Sequence, residues 1–355
     1  MSCARVTRYR GFLIALTCTV GNPAGGAEDL LRRQNWEPNS HPDVGGEKPR
    51  GAVVAIIGGN RGIGFDTTYH MALYACVQPD HLTIVFTCRS ESDCVDAALS
   101  IKDGMAVSCG TSERVQIDTF APLDVVNGSD IVEFGAFLTS AYGGVDAIVF
   151  NAGVSSSDVA YTIRVHCVGF WMAAEVLRPI MRRPGRLIAV TSFLGTISSL
   201  PKCIDPDQLE AAYSMVIDGS GPSPESLIHF HGASVYSRLN DEQSSYRYSK
   251  SLQNLAVRRI AEACADTELE VNAVCPGNCL TPINPTGKDT TRLCTETILW
   301  LALGRRGSSP GQRVHGGFFR YMKQISFENG RHLMDVVPDD SMRSWWDKIE
   351  SGSEH

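Results

Sequence analysis

The chain has 355 residues, of which 43% are hydrophobic and 20% are charged. These proportions are typical of a soluble globular protein, and the length has room for one large α/β domain or two small ones. The formal net charge is −7 and the pI about 5.7, so neither nucleic acid nor an acidic membrane surface is indicated as a partner.

Residues 1–50 differ in composition from the rest of the chain. Three arginines within the first ten residues precede an apolar run at 11–20, and small residues follow at 25–27. This order is typical of a secretory signal, and the run is too short to span a bilayer. An organelle transit segment and a plain disordered extension are the alternatives. We expect a targeting segment within residues 1–27, followed by a linker, and leave the location open between the cytoplasm and an organelle.

From residue 51 onward, strand-like and helix-like segments alternate. Apolar runs of the kind found in strands buried on both faces predict strands at 52–57, 82–87, 147–151, 186–191 and 270–274. Longer segments between them predict helices at 65–75, 92–102, 128–141, 161–182 and 245–266. This alternation predicts a single α/β domain with a doubly wound parallel sheet of the Rossmann type, which binds ligands at the carboxyl ends of its strands.

We assign residues 51–330 to this domain and residues 331–355 to a C-terminal tail. An insertion at 205–244 is rich in Pro, Gly and Ser and breaks the alternation. So long an insertion in a compact domain is usually functional, and we expect it to line a substrate pocket. Four of its residues are candidates for that lining: Phe230, Tyr236, His229 and His231. For the two histidines, an exposed strand pair is the more ordinary explanation.

The chain contains twelve cysteines, more than average, but their spacing does not match a metal site. Cys275 and Cys279 are four residues apart, with no histidine at the spacing of a zinc site. Several cysteines, including Cys88 and Cys275, lie inside or beside predicted buried strands. We therefore expect reduced core cysteines and no metal.

A glycine-rich turn, Gly-Gly-Asn-Arg-Gly-Ile-Gly at 58–64, joins the first predicted strand to the first predicted helix. Glycines let such a turn close and let backbone N–H groups approach a pyrophosphate, while the helix N-terminus attracts negative charge. The spacing differs from the commoner Gly-x-Gly-x-x-Gly, and a tight turn without a ligand is the alternative. The turn predicts a dinucleotide site that includes Gly58, Asn60, Arg61, Gly62, Ile63 and Gly64.

Tyr246 and Lys250 lie four residues apart at the start of the last long predicted helix, and therefore on one helix face. A protonated lysine near a phenol lowers the pKa of the phenol, which would make Tyr246 a proton donor to a developing alkoxide. Tyr-x-x-x-Lys alone occurs by chance on many helix surfaces. Together with an upstream nucleotide turn it is far more specific.

These motifs resemble those of the short-chain dehydrogenase/reductase family, and most of all its monomeric carbonyl reductases, over about residues 52–327. Residues 150–153 are similar to the family's Asn-Asn-Ala-Gly element, and residues 276–281 to the Pro-Gly-x-x-x-Thr loop that covers the nicotinamide. The resemblance implies further contacts with the cofactor from Leu123, Asp124, Asn151, Ala152, Gly153, Pro276, Gly277 and Thr281. It also implies a monomer, because the insertion of the carbonyl reductases covers the surface that relatives use to dimerise.

The resemblance gives Tyr246 the role of general acid, and gives Ser192 the role of polarising a substrate carbonyl. Lys250 would lower the pKa of Tyr246 and hydrogen-bond the nicotinamide ribose. His166 stands where the family has an active-site Asn that anchors a water near the Lys. A histidine can hold such a water with one hydrogen bond fewer, so we expect a neutral His166 in the site. Phe150 and Ile57 are further departures, for an Asn and a Thr.

The choice of cofactor follows from charge. An NAD site uses an Asp or Glu about 20 residues after the glycines to hold the ribose hydroxyls. The predicted strand at 82–87 ends without one, Arg89 follows, and Arg61 lies in the glycine turn. Two guanidiniums suit a 2′-phosphate, and both match basic positions of the NADPH-using carbonyl reductases. We predict NADP(H); two solvated arginines are the alternative.

The leading hypothesis is an NADPH-dependent reductase of a small or medium apolar ketone, aldehyde or quinone. The alternative is an NADP-binding regulatory or interaction module with little or no turnover. His166 and Phe150 favour that alternative, while Ser192, Tyr246 and Lys250 oppose it. The substrate cannot be named from the sequence, because specificity lies in an insertion without a recognisable pattern.

Overall fold

The structure is a computed structural model that describes residues 51–109, 113–217, 223–304 and 313–335, together with Met342 and Trp345. The expected targeting segment and linker lie outside the described residues. Among the helices that are described, none is both long and apolar enough to cross a membrane.

Within the described residues, nine strands form one sheet in the order β3-β2-β1-β4-β5-β6-β7-β8-β9. They are β1 (Ala52–Ile57), β2 (Leu82–Thr87), β3 (Val115–Phe120), β4 (Val145–Phe150), β5 (Met181–Val190), β6 (Leu269–Val274), β7 (Phe318–Arg320), β8 (Lys323–Ile325) and β9 (His332–Asp335). Strands β1 to β7 pair in parallel, and β8 and β9 add an antiparallel edge. The chain reverses direction across the sheet between β1 and β4, where a doubly wound sheet opens its ligand crevice.

Helices pack on both faces of this sheet. They are α1 (Gly62–Cys76), α2 (Glu91–Cys109), α3 (Gly128–Tyr142), α4 (Val159–Ile163), α5 (Gly169–Leu177), α6 (Leu209–Ile217), α7 (Pro224–His231), α8 (Ala233–Leu239), α9 (Glu242–Ala263) and α10 (Thr291–Leu303). Side chains of β1 alternate between two hydrophobic clusters: Val53, Ala55 and Ile57 join one, while Val54 and Ile56 join the other. The predicted α/β fold with a doubly wound parallel sheet is confirmed.

The predicted helix at 161–182 is wrong at its C-terminal end. A π-helical turn at Arg164–Val168 separates α4 from α5, which ends at Leu177. Pro179, in the short 3-10 turn that follows, has no N–H to continue a helix, and β5 begins at Met181. Arg182 therefore belongs to a strand.

The sheet also continues past residue 330, where we placed the end of the domain. Strand β9 pairs with β8, and Met342 and Trp345 are buried in the cluster beneath α1 and α10. Strands β7 and β8 have only three residues each, too short to show a hydrophobic period.

The described residues of the insertion, 205–217 and 223–244, are largely helical. They form α6, α7, α8 and the first turn of α9, so the expectation of a strand pair around His229 and His231 is wrong. The apolar residues of α6 recur at helical spacing and are buried against α9: Leu209, Ala212, Tyr213, Val216 and Ile217. The insertion thus covers part of the outer face of this helix.

We predict that the intact protein sediments as a monomer, because the insertion occupies the face that would otherwise be free for a second copy. Deleting residues 207–237 should uncover apolar surface of α9 and cause dimerisation or aggregation. Analytical ultracentrifugation of both forms measures this. A stable dimer of the intact chain would contradict the prediction.

The cysteines differ from expectation. The structure joins six of the twelve in disulfides with Cα–Cα distances of 6.3, 5.6 and 6.0 Å: Cys76–Cys109, Cys88–Cys94 and Cys279–Cys294. Cys167, Cys203, Cys264 and Cys275 are free. The expectation of reduced core cysteines is therefore correct for Cys275 and wrong for Cys88, because pairing depends on which elements meet in space. The described residues contain no group of side chains that could hold a metal ion.

Candidate active site

A cavity of about 860 Å³ opens at the carboxyl ends of the parallel strands. Nearly all the side chains and backbone groups predicted for the site line it: Gly58, Asn60, Arg61, Gly62, Ile63, Arg89, Leu123, Asp124, Asn151, Ala152, Gly153, His166, Ser192, Tyr246, Lys250, Pro276, Gly277 and Thr281. Of the residues predicted for the cofactor and the catalytic groups, Gly64 does not line the cavity. The fold thus gathers residues from eight separate segments at one place.

The glycine turn depends on close backbone contacts and on backbone angles that a side chain at its glycines would not allow. Gly58 and Gly62 have φ angles of +83° and +55°, a region that favours glycine. A Cβ at Gly64 would overlap the Gly58 carbonyl oxygen and the Asn151 side chain. The Asn151 amide donates a 2.7 Å hydrogen bond to that same carbonyl, so the segment after β4 braces the turn after β1.

The turn leads into α1 without a side-chain cap. Arg61, at the N-cap position, makes no capping hydrogen bond, and the first helical donor is Phe65 N–H, 3.4 Å from the Arg61 carbonyl. The preceding N–H groups are therefore left for an anion at the positive end of the helix. Arg61 and Arg89 add two exposed guanidiniums that form no ion pair with any described residue. This end of the cavity fits a dinucleotide that carries an additional phosphate.

The catalytic candidates meet beyond the turn. Ser192 lies two residues after the end of β5, and its hydroxyl accepts a 3.1 Å hydrogen bond from Leu194 N–H and lies close enough to the Tyr246 hydroxyl to affect its pKa. Tyr246 lies one turn into α9, whose N-cap Asp241 accepts from Ser244 N–H. Burial raises the pKa of Tyr246 to about 12, Cys275 adds to the rise, and the Ser192 hydrogen bond opposes it. Tyr246 is therefore a protonated donor across the physiological range.

Lys250 is only 4% exposed and directs its ammonium group into the protein. Its Nζ donates to the Val190 carbonyl at 3.2 Å and to Gln253 Oε1 at 2.8 Å, and lies 5.8 Å from the centre of the Tyr246 ring. Burial lowers the pKa of Lys250 to about 7, with Cys275 opposing. The expected lowering of the Tyr246 pKa is therefore not seen, because burial of both groups outweighs their attraction.

His166 is fully buried, and both of its ring nitrogens have protein partners. Nε2 accepts from Val154 N–H at 3.0 Å, so the proton must lie on Nδ1, which donates to Ser249 Oγ at 2.8 Å. Ser249 in turn donates to the Tyr246 carbonyl at 2.9 Å. A relay water could bind this ring only by displacing one of these partners. The geometry makes His166 a strut between the segment after β4 and the helix that carries Tyr246.

Burial, and then the charge of Lys250, lower the pKa of His166 well below its usual value. In the unfolded chain a histidine titrates near pH 6.5, so below about that pH the unfolded state takes up a proton that the folded state excludes. This residue alone should therefore lower the free energy of unfolding by about 1.4 kcal/mol for each pH unit below its unfolded pKa. His166→Asn should remove that contribution.

Urea unfolding of wild type and His166→Asn between about pH 7 and pH 5 measures this difference in slope. His70 is a useful comparison, because burial lowers its pKa to about 4 and it lies outside the cavity beside Thr295. His70→Asn should also flatten the acid slope. Identical slopes for wild type and His166→Asn would contradict the assignment of a neutral buried ring.

The insertion contributes less to the cavity than expected. Of its described residues only Glu242 and Gln243 line the cavity. Phe230 and Tyr236 pack instead against the core cluster on the α9 side, and His231 Nε2 lies 2.9 Å from the Tyr248 hydroxyl. Residues that sequence reasoning missed take their place, namely Tyr161, Phe193, Leu194, Ile283 and Arg320. Phe193 and Leu194 directly follow a predicted strand, but the sequence gives no signal for Tyr161, Ile283 or Arg320.

Comparison with known proteins agrees with this geometry. Residues 52–202 match the family model for short chain dehydrogenases. A curated relative, short chain dehydrogenase atnD of Emericella nidulans, is 24% identical over 81% of this chain and 84% of its own. Carbonyl reductase (NADPH) 1 of Bos taurus is also 24% identical, over 78% of this chain and 98% of its own. The chain is thus similar to short chain dehydrogenases and to carbonyl reductases.

The fold is also found among solved structures. Salutaridine reductase from Papaver somniferum superposes with a TM-score of 0.56 at 20% identity, covering 76% of this chain and 99% of the other. The proteins that this chain resembles in sequence are named as dehydrogenases and reductases, that is, as oxidoreductases. The family's Asn-Asn-Ala-Gly element is altered at Phe150, which is buried and packs edge to face on Phe170 at 5.4 Å. Phe150 thus packs in the core where the family has a polar Asn, and Asn151 still donates its hydrogen bond to the glycine turn.

Proposed function

We propose that this protein reduces a small-molecule carbonyl compound, a ketone, an aldehyde or a quinone, with NADP(H) as cofactor. One observation carries the proposal: the hydroxyls of Ser192 and Tyr246 share a cavity with an anion cradle and with Arg61 and Arg89, which form no ion pair with a described residue. The two hydroxyls suit a carbonyl oxygen, and the anion cradle with the two arginines suits a phosphorylated dinucleotide. Carbonyl reductase (NADPH) 1 of Bos taurus, by its name, uses the same cofactor.

The residues that would hold NADP(H) occupy the half of the cavity next to β1 and β2. The N–H groups at the start of α1 would bind the pyrophosphate, and Arg61 and Arg89 would bind the 2′-phosphate. The segment 276–281, after β6, would lie over the nicotinamide. When bound, the cofactor supplies the hydride. Every other requirement of the reduction falls to the chain's own side chains.

A carbonyl oxygen placed between Ser192 and Tyr246 would accept a hydrogen bond from each hydroxyl. As the carbonyl carbon gains a hydride, negative charge develops on the oxygen, and the two donors stabilise it. The Tyr246 O–H bond then breaks and its proton moves to that oxygen, giving the alcohol. An alkoxide is more basic than a phenolate, so this transfer is favourable even with the raised pKa of Tyr246. Lys250, one helical turn away, supplies positive charge and would return a proton to the phenolate.

One observation favours the alternative of a binding module with little turnover. Lys250 donates its hydrogen bonds to Val190 and Gln253, so part of its capacity for a ribose or a proton relay is used within the protein. Oxidation of NADPH by a panel of quinones, diketones, aldehydes and steroids distinguishes the two functions. We expect turnover with at least one of these classes. NADPH binding without turnover on any of them would support the binding module.

A further inference from the structure

Arg320 brings a positive charge to the substrate half of the cavity. It ends β7, beside the carboxyl end of β6, and lines the same cavity as Ser192 and Tyr246. Its guanidinium is stacked between two rings, 5.1 Å from the centre of Phe193 and 4.6 Å from that of Tyr321. Phe193 directly follows Ser192 in the chain. The stacking therefore holds the cation next to the residue assigned to the substrate carbonyl.

No carboxylate in the described part of the chain forms an ion pair with Arg320. Its Nη2 donates to the Tyr321 hydroxyl at 3.1 Å, and that hydroxyl donates to Asp289, which also accepts from Asn278 N–H. Asp289 thus contacts the guanidinium through the phenol and adds a charge attraction at longer range, without a direct ion pair. Arg320 Nε is buried and has no hydrogen-bond partner. The guanidinium keeps unused donors, which is costly unless a ligand accepts from them.

The position of Arg320 separates it from the cofactor phosphates. Arg89 follows β2, and β7 lies five strands further along the sheet, a distance of about 24 Å at roughly 4.8 Å per strand. The catalytic groups lie much nearer. Burial raises the pKa of the Cys275 thiol, and the charges of Arg320 and Lys250 both oppose that rise, which places the two cations around one sulfur atom.

The remaining charged group on the substrate side is Glu242. It is exposed in the first turn of α9, one turn before Tyr246, and lines the mouth of the cavity. The rest of this half is largely apolar or aromatic, with Val154, Tyr161, Phe193 and Leu194. A ligand that satisfies the whole surface needs an apolar body, a carbonyl group and an acceptor for the guanidinium.

We infer that Arg320 binds a carboxylate of the substrate, so that the preferred substrates are oxo-acids with an apolar body. This inference rests on the proposed carbonyl reduction and specifies its substrate class. A guanidinium presents two parallel N–H donors to a carboxylate. An ester carries no negative charge, so it accepts these hydrogen bonds more weakly. Recognition through this residue would fix the distance between the carboxylate and the reacting carbonyl.

The kinetic test compares oxo-acids of increasing chain length with their methyl esters. A charged hydrogen bond of typical strength predicts that wild type prefers the best acid over its ester about ten- to hundredfold in kcat/KM, mostly through KM. In Arg320→Gln the ratio should fall toward one, and Arg320→Lys should keep an intermediate ratio. Arg258→Gln is the matched control, because Arg258 also stacks on a ring, that of Phe327, but lies outside the cavity. It should keep the wild-type ratio.

A binding measurement separates this inference from the proposed reaction. In this experiment NADP⁺ is saturating, so that Arg61 and Arg89 are occupied. A carboxylic acid of the same length that lacks the ketone or aldehyde group should then raise the melting temperature of wild type and of Arg258→Gln, but not of Arg320→Gln. If wild type reduces neither acids nor esters, the proposed reaction fails and this difference still supports the carboxylate site. Esters reduced as well as acids by wild type, or an equal thermal shift in Arg320→Gln, would overturn the assignment of Arg320.

Discussion

Replacing Tyr246 by Phe is expected to lower the rate of carbonyl reduction about 10²- to 10⁴-fold while NADPH still binds. The substitution keeps the buried ring and removes only the hydroxyl that donates to the substrate oxygen. The Ser192 hydroxyl, 3.1 Å from Leu194 N–H, stays in place, so the substrate can still enter. Steady-state kinetics together with an NADPH titration measure the two effects separately.

Tyr248→Phe is the matched control for this substitution. Tyr248 is also a buried tyrosine of α9, but its hydroxyl bonds to His231 on the far side from the cavity. This variant should lose some stability and keep its reductase activity. Lys250→Ala, in contrast, should weaken both cofactor binding and turnover. A Tyr246→Phe enzyme as active as wild type would show that another group supplies the proton.

Exchanging Arg89 for Asp is expected to reverse the preference between NADPH and NADH. The guanidinium, exposed at the end of β2, would contribute about 1.5–3 kcal/mol to binding a 2′-phosphate, a factor of roughly 10 to 150 in affinity. The new carboxylate repels that phosphate and can accept hydrogen bonds from the ribose hydroxyls of NADH. In wild type, NADPH should therefore raise the melting temperature more than NADH, and in the variant the order should be inverted.

Arg238→Asp makes the same change of charge on exposed α8, away from the cavity, and should leave the preference for NADPH intact. Arg61 remains in both variants and sets the residual affinity for the phosphate. Equal thermal shifts by NADPH and NADH in wild type would show that neither arginine recognises the 2′-phosphate.

The parts of the fold that sequence predicted are those in which local pattern and burial agree. Residues 52–57 read as a strand buried on both faces, and the structure places them inside the sheet, between β2 and β4. The glycine turn after them could be predicted because only glycine tolerates the contacts at Gly58 and Gly64. Strands β7 and β8, with three residues each, carry no such pattern, and Arg320 was missed with them.

Among the catalytic groups, too, the features with a local sequence pattern could be predicted and the contacts between distant elements could not. Spacing placed Tyr246 and Lys250 on one helix face, and the family resemblance added Ser192; the structure brings all three to one cavity. They did not show that Lys250 donates to Gln253 or that His166 uses both nitrogens on Val154 and Ser249. Those contacts depend on rotamers chosen by packing between distant elements. The prediction that the insertion lines the substrate pocket was wrong for a related reason, because the helices of the insertion pack on α9.

Transfer of deuterium from NADPH labelled at the hydride position to a carbonyl substrate tests the proposed reaction most directly. With a ketone or an aldehyde found in the panel, we predict one labelled alcohol for each NADPH oxidised by wild type, and far slower labelling by Tyr246→Phe. Mass spectrometry of the product and the absorbance of NADPH give both quantities in one sample. If NADPH binds tightly, no ketone or aldehyde yields a labelled alcohol and no quinone is reduced, the protein is not a carbonyl reductase.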